Sequence, residues 1–312
     1  MLVIKLFVIG NGFDIDHDLE CQFRCFKCYL KRTYPEIIKY DKLKCVPLPC
    51  TGIAPDGEEI SDPSTDAQIL YRLIEDIKMN SDWSSFEEDL GNIEYERLVD
   101  RSNYDNEDDD AIFHQIRNNS DLAREYFKSF DDFPRLFSDW IESIDTSWVR
   151  PKSKYKAVFS NDDLVLTFNY TDLLENTYGI PTERICHIHG KMGEQLIFGH
   201  DNAEDAYEAD FLSGDADIYF NKMHHKLFKD TRKCINAHKR FLDRISAVDE
   251  IYFLGWSMAT VDLDYLSYIG NLLSSKSVII HFTKYDEEKN TIEDKIAKLK
   301  KYKIRYDLAN NI

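Results

Sequence analysis

The chain has 312 residues, room for one large domain or two small ones, and its 43% hydrophobic content excludes global disorder. It carries 39 basic against 57 acidic side chains, a net charge of −18; such a surface repels phosphate backbones and lacks the basic stripe that nucleic-acid binding needs. No window approaches the ~18 consecutive apolar residues of a membrane span, so neither a membrane nor a nucleic acid is expected as a partner.

In chain order, MLVIKLFVIG reads as a first β-strand, since no small-residue cleavage site follows it. Gly10-Asn11-Gly12 then turns the chain into a helix start. Over 22–45 the pattern is helical and aromatic, with Phe23, Phe26, Tyr29 and Leu30. Cys21, Cys25 and Cys28 fall at i, i+4 and i+7, which places them on one apolar helix face as small hydrophobes. With Cys45 and Cys50 downstream, zinc binding is the alternative. The seven irregularly spaced cysteines fit a reducing compartment, and the protein is expected to be cytoplasmic. A Pro/Gly/Ser/Asp-rich loop (47–66) leads to helices over 67–79 and 81–99. The acidic run 104–111 reads as a solvated turn. A third helical stretch, 121–145, is expected to kink or break at Pro134.

Beyond about residue 160 the texture changes. Short apolar or β-branched runs at 164–171, 185–190, 195–200, 250–257, 277–285 and 303–308 alternate with helical patterns. The lysines of 295–303 are spaced as on a solvated helix face. Strands alternating with helices predict an α/β domain with a mostly parallel sheet. A single domain over 1–312 is expected, with strand 1 joined to the rest through a helical excursion over 20–155.

In open parallel sheets ligands bind at the carboxyl ends of the strands, and these strand ends are rich in chemistry. The first carries GNGFD, where Gly10 and Gly12 allow positive φ and close backbone approach. Ile15 stands where a dinucleotide fingerprint would have its third glycine. Asp14 would cap backbone amides or bond a ribose hydroxyl. In TFNYT, Thr167, Asn169 and Thr171 share one strand face; Thr171 or Asp172 would cap the helix over 172–178, with Glu175 as its first-turn acid. In HIHG, His187 and His189 share a face and Gly190 turns the chain away. Metal binding, acid–base chemistry and structural hydrogen bonding are all open to these histidines. His200, in FGHD, is a further candidate.

Taken in order, VIGNGFDIDHDL, the W-x-x-F-E of Trp83, Phe86 and Glu87, TFNYT-x-x-x-E, HIHG, IFGHD and LGWSM-x-x-x-D resemble the AbiH family of phage abortive-infection proteins. The resemblance runs from residue 5 to about 266, and that family is distantly similar to SIR2-like (sirtuin-type) domains. It implies a Rossmann-like, SIR2/DHS-like fold with a helical insertion after strand 1. It further implies NAD as substrate or ligand, lined by Gly10, Asn11, Gly12, Asp14, Thr167, His187, Gly190, Gly255 and Ser257. Asn169 would position ribose or water, and His189 would act as the base. Asp262 matches an acid of the family pattern. Thr171 stands where SIR2-like proteins usually carry Asp, and Trp256 where the family commonly shows His. No zinc ribbon is recognisable, so protein deacylation is not expected.

The functional expectation is therefore an anti-phage protein that hydrolyses NAD when infection triggers it. The helical excursion would serve as a lid or as a homo-oligomer contact, and the trigger is a phage component. Two alternatives stand beside it: a non-catalytic nucleotide-binding sensor, and a nuclease holding Mg²⁺ through Asp14, Glu87 and Asp262. The primary reading has no bound metal.

Overall fold

A computed structural model describes residues 3–35, 37, 63–76, 83–99, 109–160, 162–208, 210–309 and 311–312. Cys45, Cys50, residues 47–62 of the expected loop and residues 104–108 of the acidic run lie outside the described residues.

The chain opens with β1 (Lys5–Ile9) and α1 (Asn11–Asp16), followed by α2 (Phe23–Thr33), α3 (Pro63–Asp76), α4 (Trp83–Gly91), α5 (Asp109–Asp131) and α6 (Phe133–Glu142). It returns through β2 (Leu164–Thr167), α7 (Leu173–Tyr178) and β3 (Ile185–His187) to α8 (Ala216–Lys226) and α9 (Thr231–Ala237). The last elements are β4 (Glu250–Leu254), α10 (Leu263–Leu272), β5 (Ser277–His281), α11 (Ile292–Lys301) and β6 (Arg305–Leu308).

These elements fall into two compact units, one of residues 1–22, 141–198 and 229–312, the other of 23–140 and 199–228. The first unit holds the sheet. Its order is β3-β2-β1-β4-β5-β6 and every pairing is parallel, which is the doubly wound, Rossmann-like arrangement. From β1 the chain builds outward to β2 and β3 on one side and then to β4, β5 and β6 on the other. The strand order therefore reverses between β1 and β4, where such sheets bind their ligands.

Central position explains the composition of β1. Leu6, Phe7, Val8 and Ile9 are all fully buried, so both faces of the strand must be apolar. Leu6 and Val8 join Leu164, Leu166, Ile251 and Phe253 in one core, while Phe7 lies 4.5 Å from Phe159 and 4.7 Å from Tyr252 on the opposite face. Each such side chain contributes roughly 1.5–3 kcal/mol by burial. Register then aligns the strand ends: Ile9 pairs with Thr167 and with Leu254, and Thr167 pairs with His187. The residues that follow these four strands accordingly leave the sheet along one edge.

The second unit has an aromatic core. Phe23 stacks on Phe86 at 3.9 Å, and Phe26 meets Phe133, Phe137 and Trp140. Helix α2 buries Phe23, Phe26 and Leu30, a different face from the one expected for the cysteines. Cys21 is buried ahead of the helix, Cys25 is half-buried and Cys28 is exposed; the larger aromatic side chains win the buried stripe. Among the described residues no group of three His, Cys, Asp or Glu side chains is arranged to hold a metal ion. No described helix is long and apolar enough to cross a membrane.

The strands are shorter than the sequence suggests. The run at 195–200 is no strand: Ile197 N–H donates to His189 O, and His200 makes only an isolated bridge with Phe228. Gly199 breaks it, with φ of 140° and a backbone against Leu227 so close that a Cβ would fall 1.8 Å from Leu227 O. After β4 the chain turns at Gly255, whose φ is 64°. After β5, Thr283 and Asp286 form a reciprocal capping box that starts a helical turn. Pro134 acts as expected, because α5 ends at Asp131 and α6 restarts at Phe133, where a missing N–H in the first turn is harmless. The start of α5 at Asp109 takes in the end of the acidic run and most of the stretch before 121.

Candidate functional site

Two turns cross at the strand-order reversal, and their crossing explains the glycines. Gly10 N–H donates to Leu254 O at 3.0 Å and Gly12 N–H to Gly255 O at 3.0 Å. A Cβ on Gly10 would lie 2.7 Å from Trp256 Cα, one on Gly12 2.9 Å from Gly255 Cα, and one on Gly255 2.3 Å from Phe13 N. Close approach is thus real, but it is of backbone to backbone. Neither Gly10 nor Gly12 adopts the positive φ that the sequence pattern permits, and Gly10 sits at φ −122°. With Phe13 N–H bonded to Gly10 O at 2.9 Å, the amides of Gly12 and Phe13 at the start of α1 are engaged inside the fold. Asn11 Nδ2 donates to Cys21 O at 3.1 Å. Ser257 is exposed.

A buried polar network begins at Asp14. Its Oδ1 accepts from Asn169 Nδ2 and its Oδ2 from Thr171 Oγ1, each at 2.6 Å. Asp14 therefore caps no backbone amide, and Thr171 reaches Asp14 instead of capping α7. Asp172 accepts from Thr146 Oγ1 at 2.6 Å and makes no cap bond either. Burial pushes the Asp14 carboxyl up to about 6, and the hydrogen bonds from Thr171 and Asn169 only partly offset it.

Phe168 N–H makes the last ladder bond of β2, to Ile9 O at 2.9 Å, and the pairing stops there as Asn169 N–H turns to Thr167 Oγ1 at 3.1 Å. Asn169 Nδ2 also reaches Gly10 O at 3.2 Å. Both of its partners, an ionised carboxylate and a carbonyl, only accept, which fixes the amide's orientation. Asn169 Oδ1 is left buried with no hydrogen-bond partner among the described residues.

The two histidines of HIHG part company. Strand β3 ends at His187, so the shared strand face expected for His187 and His189 does not form. His187 Nδ1 donates to Asn169 O at 3.0 Å and Nε2 to Glu175 Oε1 at 3.2 Å. Both ring nitrogens are thereby engaged inside the fold, one by a backbone carbonyl and one by a carboxylate. Lys191 Nζ joins the same carboxylate oxygen at 3.3 Å. His189 turns instead to Tyr265, with Nε2 at 3.0 Å from the hydroxyl, and makes a T-shaped contact with Phe168. Burial first, then the charge of Lys229, holds His189 well below the usual imidazole range, so the ring is neutral at pH 7. Its Nδ1 makes no hydrogen bond to the described residues. Gly190, at φ 81°, turns the chain where a Cβ would lie 2.3 Å from Gln195 O.

The family model for bacteriophage abortive infection AbiH matches residues 6–284. The chain belongs to the AbiH family. It is a bacteriophage abortive-infection protein by that membership, and the match takes in every residue of the site. Comparisons with curated proteins and with solved structures gave no significant match.

Several further positions of this AbiH-family protein now have partners. Asp262 accepts from Lys229 Nζ at 3.1 Å, with the lysine side chain wholly buried, and from Trp256 Nε1 at 3.5 Å. Trp256 stacks on Phe168 at 4.8 Å and 12°. Lys229 and Tyr265 were not legible as site neighbours, because no motif surrounds either and only the fold buries them beside Asp262 and His189. In the second unit, Glu87 Oε1 accepts from Gly199 N–H at 3.1 Å. His200 Nδ1 accepts from Asn202 N–H at 3.2 Å, so Nε2 carries the proton and donates to His224 O at 3.0 Å. Burial and the neighbouring His224 hold His200 down to about 4. Both residues make these bonds within their own unit.

Proposed function

We propose that this AbiH-family protein binds NAD at the carboxyl edge of β1, β2 and β4 and hydrolyses its nicotinamide–ribose bond during infection. One observation carries the reading: the buried, unpartnered Oδ1 of Asn169 at the strand-order reversal. A buried acceptor without a donor costs about 1–3 kcal/mol, and a ligand hydroxyl or a bound water removes that cost. The class of ligand comes from the distant resemblance to SIR2-like domains read in the sequence motifs. The residues fit the ribose half, which offers hydroxyl donors; the glycine turn, with two amides already bonded, favours ribose over pyrophosphate there.

When bound, NAD supplies a glycosidic bond whose cleavage develops positive charge on the ribose and whose leaving group needs no protonation. Asn169 Oδ1 would accept a hydrogen bond from a ribose hydroxyl or from the attacking water, with its amide already oriented. His189 is neutral and buried, as a base must be before it acts. With Nε2–H donated to the Tyr265 hydroxyl, its Nδ1 lone pair would take a proton. His187 has both ring nitrogens engaged, so it orients the Asn169 backbone and leaves the acid–base work to its neighbour.

Purified protein incubated with NAD, with and without lysate of infected cells, tests this by the release of nicotinamide. The expected result is release that Asn169→Ala and His189→Ala each reduce by ~10²–10⁴-fold. Calorimetric binding of NAD with no release under either condition would overturn hydrolysis and leave a nucleotide sensor.

A further inference from the structure

Asp14 takes no part in the chemistry proposed above, yet with the Gly10 carbonyl, which accepts from the same Nδ2 at 3.2 Å, it sets which end of Asn169 faces a ligand, and its bond is the shorter of the two. Backbone bonds fix Asn169 on both sides: its N–H donates to Thr167 Oγ1 at 3.1 Å and its carbonyl accepts from His187 Nδ1 at 3.0 Å. What remains free is rotation of the amide, whose two ends have nearly the same shape and opposite hydrogen-bonding sense. Asp14 Oδ1, at 2.6 Å, accepts only, so it demands Nδ2 and turns Oδ1 away into the unpartnered position. Thr171 Oγ1, at 2.6 Å from the other carboxylate oxygen, keeps the carboxylate from rotating out of this role.

We propose that Asp14 is a positioning residue that locks the Asn169 amide with its oxygen toward the ligand. The site then takes a hydrogen-bond donor, a hydroxyl or a water, at this point and rejects an acceptor such as a phosphate oxygen. The identity of the donor as a ribose hydroxyl rests on the NAD reading; the lock itself does not.

The lock depends on charge. A protonated Asp14 oxygen becomes a donor and no longer requires Nδ2 opposite it, which leaves the longer bond to Gly10 O as the amide's remaining orienting partner. The groups facing Asp14 are His187 of β3, paired with Glu175 of α7, and Asp172 ahead of α7. On its own helix, Asp16 turns to Lys154 and Tyr155, and His17 to Phe13 O and Tyr178. Burial opposes the ionised form, the hydrogen bonds from Thr171 and Asn169 and the nearby His187 favour it, and the midpoint lies at about 6.

Protein labelled with ¹⁵N at asparagine tests the lock directly, with the Asn169 side-chain amide identified by its loss in Asn169→Ala. The expected result is a protected amide pair that shifts with a midpoint near pH 6 and collapses to ordinary values in Asp14→Asn. The second readout is the calorimetric affinity for NAD, expected to fall about tenfold from pH 7.5 to pH 5 in the wild type and to be flat in Asp14→Asn. Should Asp14→Asn fail to fold, Thr171→Val keeps the carboxylate, removes one donor and is expected to move the midpoint to higher pH. A titrating amide pair in protein that binds no NAD would keep the lock and sink the NAD reading. An Asn169 amide indifferent to pH and to both substitutions overturns the lock, whatever NAD does.

Discussion

Nε2 of His187 lies 3.2 Å from Oε1 of Glu175, and the pair is mostly buried, with side-chain exposures of 7% and 15%. Burial alone would raise the Glu175 carboxyl; the hydrogen bond and charge of His187, with Lys191 behind them, more than offset it and hold it below the usual carboxylate range. A carboxyl lowered by folding stabilises the protein above its unfolded value of 4.5, and that contribution is lost as pH falls through the folded value. Glu175→Gln is therefore expected to flatten the acid limb of a stability–pH curve below about pH 4.5. Chemical denaturation at a series of pH values checks this; an unchanged acid limb counts against the pair.

Asp14 has the opposite sign. Its folded value, about 6, lies above the ordinary 3.8, so the native state binds its proton more tightly than the unfolded chain does. Its contribution is most favourable below about pH 4 and declines as pH rises to about 6, a difference of roughly 3 kcal/mol. Asp14→Asn is expected to melt at or above the wild-type temperature at pH 8, with the gap narrowing toward pH 4. A variant that melts lower at pH 8 would show that the ionised carboxylate stabilises the fold outright.

The crossing of the two turns predicts unequal costs for glycine substitutions. Gly255 combines φ 64° with a Cβ position 2.3 Å from Phe13 N, whereas Gly179 has the same φ and open space around it. Gly179→Ala should cost about 1 kcal/mol, the ordinary left-handed penalty. Gly255→Ala adds a backbone clash and should cost several times as much, on the order of 3 kcal/mol or more. Equal urea midpoints for the two variants would refute the close packing.

Lys229 and Asp262 form a buried ion pair beneath Trp256. Lys229→Met leaves a buried carboxylate without its cation and should cost about 3–5 kcal/mol. Adding Asp262→Leu should recover much of the loss, since a well-packed apolar pair replaces a desolvated ionic one. If the double variant is no more stable than the single one, the pair is not the interaction at stake.

The sheet was legible because its strands are short, apolar and separated by helical periodicity, and because β1 is apolar on both faces. The run at 195–200 has the same texture without being a strand; only the packing of Gly199 against Leu227 reveals why. Gly10 and Gly12 stood out as special, but the reason lay in Gly255, more than two hundred residues away. Asn169 and Asp14 were each singled out, yet their mutual bond, across a separation of 155 residues, is a property of register alone. Lys229 carries no local signal at all, since a lysine reads as solvated until the fold buries it. On α2, period alone could not say whether the cysteines or the phenylalanines would face inward, and side-chain size decided it.

The proposed role of Asn169 in hydrolysing NAD during defence is open to measurement inside infected cells. NAD is measured through a phage infection in cells making the wild-type protein and in cells making Asn169→Ala at equal levels. NAD is expected to fall only with the wild type, and phage to multiply only with the variant. Protection by the wild type with NAD undiminished would contradict it.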